Sequence, residues 1–162
     1  MFKIGNYQCI SKIGEGSNSS VYSTQFQNTL EPLAIKISKK NSTYENEKKI
    51  LMALNHKGIV KLIDSFQEGS KQILVLEYGK DLFEHIMENG KFTEKDAKKQ
   101  FKPIFEAVQY LHKNKIIHRD IKLENIIITE KQELKLIDFD LSYQSKLEDS
   151  INNNKISNKK NG

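Results

Sequence analysis

Ile117-His118-Arg119-Asp120-Ile121-Lys122-Leu123-Glu124-Asn125, then Ile126-Ile127-Ile128, a polar turn from Glu130 to Glu133, Leu134-Lys135-Leu136-Ile137 and finally Asp138-Phe139-Asp140: the reading of this 162-residue chain turns on this stretch. The two apolar runs read as short strands joined by the polar turn. A hairpin of that kind holds two loops side by side, one with Asp120 and Asn125 and the other with Asp138. Carboxylate and amide oxygens beside a lysine are what phosphoryl transfer asks of a protein. Such oxygens hold Mg²⁺ on the phosphates, a carboxylate takes the proton of the attacking hydroxyl, and a cation steadies the transferring group. Asp120, Lys122, Asn125 and Asp138 supply these parts.

Composition narrows the class. Hydrophobic residues make up 37% and charged residues 29%, as in a polar-surfaced globular protein with one sizeable core or two small lobes. No apolar run approaches the roughly 18 residues that span a bilayer, so no membrane association is expected. The first six residues lack the apolar core of a secretory signal. The lone Cys9 allows no internal disulfide and fits a reducing, cytoplasmic or other intracellular compartment. The net charge of +5 comes from lysines scattered among Glu and Asp without interleaved aromatics. It reads as a solvated surface and not as a nucleic-acid site.

Taken in order, Tyr7–Ile13 and Val21–Phe26 read as strands around the turn Gly14-Glu15-Gly16-Ser17-Asn18-Ser19. Glycines at 14 and 16 let that turn close tightly and bring N–H groups near phosphate oxygens. Leu33–Ile37 is the next strand, and its period of two puts Ala34 and Lys36 on one face. Ser42-Thr43-Tyr44-Glu45 has the form of a capping box and opens a helix to about Leu54. Tyr44, Glu47, Leu51 and Leu54 share one face of it. A carboxylate amid an apolar face needs a buried cation, and Lys36 is the candidate. Strands at Ile59–Phe66 and Gln72–Tyr78 complete a five-stranded sheet with one helix. His56 reads as a packed residue in the turn before them. Asp81–Met87 forms a helix ended by Asn89-Gly90, and Thr93-Glu94-Lys95-Asp96 caps another. Ala97, Phe101, Ile104, Phe105, Val108 and Leu111 form its buried stripe, with a kink expected at Pro103.

In this order the motifs resemble the eukaryotic protein kinase family, serine/threonine type, over about residues 7–140. The resemblance implies an α+β kinase-like fold in one domain, residues 1–140. Its N-terminal lobe, about 7–78, is a five-stranded antiparallel sheet plus one helix, and 79–140 is part of a helical C-terminal lobe. Residues 141–162 are expected to form a polar, disordered tail. The implied ligands are ATP and Mg²⁺, with an unidentified protein substrate. Asp120 would take the hydroxyl proton, and Lys122 would steady the phosphoryl group. Asn125 and Asp138 would hold the metal, and Lys36, fixed by Glu47, would bind the α/β-phosphates. Arg119 would face a phosphorylated loop. The nucleotide site would draw on Ile13, Gly14, Gly16, Ser19, Val21, Ala34, Leu76, Glu77, Gly79 and Ile127.

The chain departs from the family's pattern at Ser19 and Asp140, where the family has glycine, and in a hinge about two residues short at 77–81. An Ala-Pro-Glu motif after Asp140 is absent. These departures keep a second reading open: a nucleotide-binding regulatory module without efficient catalysis, or a fragment of a longer kinase. A small-molecule kinase is a third, opposed by Arg119 and Lys122. The stripe at 97–111, uncovered by anything after Leu141, implies self-association or a partner.

Overall fold

The computed structural model describes residues 1–16, 18–26, 31–39 and 42–145. Six antiparallel strands form the first lobe: β1 Phe2–Ile4, β2 Tyr7–Glu15, β3 Ser19–Phe26, β4 Pro32–Lys39, β5 Leu62–Glu68 and β6 Lys71–Glu77. They lie in the order β1-β2-β3-β4-β6-β5, with helix α1, Ser42–Ala53, between β4 and β5 in the chain. Alternation along β4 assigns the faces. Ile35 joins Ile4, Tyr7, Cys9, Ile73 and Val75 in an outer apolar cluster. Ala34 joins Leu74, Leu76 and the α1 residues Tyr44, Ile50 and Leu51 in an inner one.

The sheet therefore has one strand more than the sequence suggested. β1 pairs with β2 through a turn at Gly5, whose φ is +52°. It buries Ile4 to 1% exposure and closes the outer face, a role that Met1–Asn6 does not announce locally. β5 also starts later than expected, at Leu62. Ile59 bridges instead to Leu136, and the Val60 N–H donates to the Leu136 carbonyl at 3.0 Å. Gly58 permits this. A Cβ there would fall 2.2 Å from the Pro103 carbonyl oxygen, so only glycine lets the two backbones come so close.

The second lobe continues with β7 Lys80–Asp81, α2 Leu82–Asn89, α3 Glu94–Lys113, β8 Ile116–Ile117, β9 Ile126–Ile128, β10 Leu134–Leu136 and β11 Tyr143–Gln144. β9 and β10 form the expected hairpin and β7 joins its edge; β11 pairs with β8. Residues 141–145, read as the start of a tail, are thus ordered and include a strand, because β8 offers them a free edge. The rest of that expected tail lies outside the described residues. Asp81 caps α2, its carboxylate accepting from the Glu84 N–H, and Gly90 closes it at φ +85°.

Thr93 and Asp96 cap α3 as expected, Thr93 Oγ1 accepting from the Asp96 N–H at 3.2 Å. The helix runs unbroken through Pro103. Its buried face is Ile104, Ala107 and Leu111, with Ala97, Phe101 and Val108 half-buried. Phe105 corrects the expected stripe: it is 70% exposed, on the turn of helix facing away from β10 and Gly58. With Ile104, Val108 and Ile121 it lines an open groove of about 750 Å³. No helix among the described residues is long and apolar enough to cross a membrane.

Candidate active site

Lys36 is the node of the site. β4 pairs it with Val21 on one side and Leu74 on the other, burying the stem and leaving the ammonium at the inner face. Glu47 meets it at 2.8 Å, as its place on the apolar face of α1 predicts. Asp138 and Asp140 each meet it at 3.0 Å. Burial pulls the Lys36 ammonium down, but Glu47, Asp138 and Asp140 outweigh it, and its pKa stands above the ordinary lysine range.

Glu47 is 2% exposed and accepts from the Phe139 N–H at 3.3 Å. The Asp140 carboxyl lies beside it, with oxygens of the two within 4.8 Å. Burial pushes the Glu47 carboxyl above the ordinary range against the pull of Lys36, and the neighbouring Asp140 adds to the rise. Burial would raise Asp140 too, yet Glu47 and Lys36 hold it below the usual carboxylate range. Sequence reasoning treated Asp140 as a backbone question, a residue where glycine is usual. Its backbone is not among the positive-φ residues, and its significance lies in the side chain. The left-handed residue is Asp138, at φ +61°. A strained aspartate held by an ion pair is a common mark of a functional loop.

The second grouping is the loop before β9. Both amide hydrogens of Asn125 go to Asp120, 2.8 Å to its carbonyl and 2.7 Å to Oδ2. Lys122 Nζ reaches the same Oδ2 at 2.9 Å. That bond, helped by Asn125, holds the Asp120 carboxyl below its ordinary range. His118 carries the loop on its ring. Nδ1 accepts from the Asp120 N–H at 3.3 Å, which fixes the other nitrogen as the donor to the Ile137 carbonyl at 2.9 Å. The ring stands edge-on to the fully buried Phe139, at 4.8 Å between centroids. Arg119, at φ +72°, lays its guanidinium over the Tyr143 ring at 4.6 Å. His56 is packed as expected, stacked on Tyr110 and accepting from the Gly58 N–H.

Of the residues expected around the base, Val21, Ala34, Leu76 and Ile127 pack into the inner cluster. Gly79 abuts β9: a Cβ there would meet the Ile128 carbonyl at 2.8 Å and Ile127 at 2.9 Å. The short hinge is stitched straight onto the hairpin by the β7–β9 pairing. The Glu77 side chain serves the hinge itself, accepting from the Lys61 N–H at 2.8 Å and pairing with Lys135 at 3.2 Å. In the glycine turn, Gly14 pairs with Val21, and the Gly16 N–H donates to the Ser19 carbonyl at 2.8 Å; Ser17 lies outside the described residues. Ile13, on β2 ahead of the glycine turn, is 43% exposed and belongs to neither apolar cluster.

A curled antiparallel sheet with one helix on its inner face, set on a helical lobe that carries the Asp120–Asn125 and Asp138–Asp140 loops, is the two-lobed α+β design of the phosphoryl-transferring enzymes expected above. The chain belongs to the protein kinase domain family, whose model matches residues 7–159. It is 38% identical over 149 residues to the carbon catabolite-derepressing protein kinase of Candida tropicalis, covering 86% of this chain and 24% of that protein. The Saccharomyces cerevisiae protein of the same name is 37% identical over 148 residues, with 86% and 23% covered. The calcium/calmodulin-dependent protein kinase type IV of Mus musculus is 38% identical over 144 residues, with 84% and 31% covered. The chain thus spans about a quarter to a third of the length of these relatives.

Proposed function

We propose that this chain carries the nucleotide site of a serine/threonine protein kinase, moving the terminal phosphoryl group of Mg-ATP to a protein hydroxyl. One observation carries the reading: Lys36 Nζ lies 3.0 Å from Asp138 Oδ1 across 102 residues of chain, with Glu47 behind it. The donor set suits Mg²⁺. Asp138 spends one oxygen on Lys36, and Asn125 spends its amide hydrogens on Asp120, so within the described residues each keeps a hard oxygen for a cation. When bound, the metal would bridge phosphate oxygens and offset their charge. Lys36 would hold the α/β-phosphates, Val21, Ala34, Leu76 and Ile127 would enclose the base, and the backbone of Glu77 and Gly79 would bond its edge. Asp120, kept ionised by Lys122 and oriented by Asn125, would accept the hydroxyl proton. Lys122 would then turn to the transferring group.

The second reading, a nucleotide-binding module without efficient transfer, is favoured by the uncovered α3 face around Phe105 and by Asp140 on Lys36. We place the chain in a reducing intracellular compartment on its buried free Cys9, and propose that the Phe105 face drives self-association. The test is transfer from labelled ATP to a generic basic protein, with nucleotide binding and solution mass measured alongside. Transfer that Asp120→Asn abolishes establishes the kinase. Binding without transfer establishes the module. A monomer throughout removes the self-association.

A further inference from the structure

The Lys36 ammonium is ringed by three carboxylates: it donates hydrogen bonds to Glu47 at 2.8 Å and Asp138 at 3.0 Å, and Asp140 forms a third ion pair with it at 3.0 Å. A phosphate arriving at Lys36 meets three negative groups already on the ammonium, and displacing one of them makes room for it. The three are not equal candidates. Glu47 is almost fully buried and also accepts from the Phe139 N–H, so its departure would break the loop's contact with α1. Asp138 is held in a left-handed backbone conformation with its carboxylate on the lysine, and among the described residues it has no second ion-pair partner. Asp140 has an ordinary backbone and a side chain 31% exposed, so a simple rotation carries its carboxylate into solvent.

We propose that Asp140 is an internal competitor of the nucleotide: its carboxylate lies against the Lys36 ammonium and is displaced when a nucleoside diphosphate or triphosphate seats. The inference rests on the nucleotide reading above and deepens it. Asp140 does two opposed things. It ties the 138–142 loop to Lys36 and Glu47 when no ligand is present, and it charges the ligand for breaking that tie. Where a metal takes Asp138, a second donor is released by other means and the competition weakens. Asp140 should therefore make nucleotide binding more metal-dependent than the lysine–glutamate pair alone would.

The test uses the 162-residue chain, ADP and calorimetry, with EDTA and with Mg²⁺, beside thermal melting of the ligand-free protein. Asp140→Ala is expected to bind ADP about tenfold more tightly in EDTA, the scale of one charge-assisted bond, and only about threefold more tightly with Mg²⁺. Asp140→Asn keeps an uncharged acceptor and should fall between. The same Asp140→Ala chain should melt earlier without ligand. A merely structural residue would lower stability and affinity together, so the opposite signs are the signature. Unchanged or weaker ADP binding in EDTA overturns the proposal, and a loss confined to Mg²⁺ makes Asp140 a metal ligand and overturns it as well. Lys36→Met separates the two levels. Binding that needs Lys36 but ignores Asp140 sinks the competitor alone, whereas binding indifferent to Lys36 sinks the nucleotide site and the competitor with it.

Discussion

Two lysines in this chain meet carboxylates under opposite conditions. Lys36 is 8% exposed and faces three of them; Lys122 is 49% exposed and faces one, Asp120. Around Lys36 the carboxylates outnumber the cation, and burial pushes the Glu47 carboxyl up in response. Around Lys122 the pair is one to one, and water screens it. The buried grouping is accordingly part of the fold, held by α1, β4 and the Asp138 loop together. The exposed grouping is a loop shaped by hydrogen bonds, free to re-form around a substrate. An ion pair's distance says little here; its surroundings decide whether breaking it unfolds the chain or only disables it.

The largest expected difference is in stability. Lys36→Met leaves the buried Glu47 carboxylate without its cation and should cost about 3–5 kcal/mol in urea unfolding, the scale for breaking a buried pair from one side. Lys122→Met should leave the urea midpoint where it is. Equal losses in the two variants would break the comparison.

Ligand binding should divide the same way. Asp138→Asn removes a contact made in the bound ground state and should weaken Mg-ADP by about tenfold or more, while Asp120→Asn, which acts on the hydroxyl, should stay within about twofold. Calorimetry reads both, and parallel losses would mean that the roles of the two aspartates are wrongly divided.

Much of this was legible because the catalytic stretch is local. Asp120, Lys122 and Asn125 lie within six residues, and the hairpin that presents Asp138 is written in two apolar runs and a polar turn. Glu47 was readable from helical periodicity alone, as a carboxylate stranded among Tyr44, Leu51 and Leu54. What stayed hidden depends on partners far along the chain. Phe105 lies on the helical stripe by sequence, yet α3 seats Ala107 against the Gly58 backbone, and that choice turns Phe105 outward. Phe2–Ile4 becomes a strand only because β2 and the outer cluster await it. Asp140 stands out in the sequence only as a departure from glycine, and nothing there says that its carboxylate reaches a lysine 104 residues earlier.

A double-mutant cycle sharpens the contrast further. Glu47→Gln and Lys36→Met, read as ADP affinity, should be non-additive by about 1–2 kcal/mol, above the range for exposed pairs. Additive effects would mean that Glu47 does not act on the nucleotide through Lys36. They would leave Lys36 anchored by the two loop aspartates alone.

The smallest effect concerns the link between the two groupings. His118 touches both, accepting from the Asp120 N–H and donating to the Ile137 carbonyl beside Asp138. Burial lowers its pKa from the ordinary 6.5, although the Ile137 bond and the Asp138 and Asp120 carboxylates pull the other way. A histidine with a lowered folded pKa gives stability that is complete above its unfolded pKa and is lost as pH falls through the folded one. The neutral ring is also what the geometry needs, since a proton on Nδ1 would take away the acceptor of the Asp120 N–H. Stability should therefore hold at pH 7 and above and decline as pH falls below about 6.5, by at most about 1.4 kcal/mol per pH unit for one proton. His56, lowered by burial as well, contributes in the same direction, so His56→Gln serves as the control background. In that background His118→Gln should flatten the decline. An unchanged slope would mean that the ring titrates freely and that the catalytic loop and the Asp138 loop are held together by the β9–β10 hairpin without it.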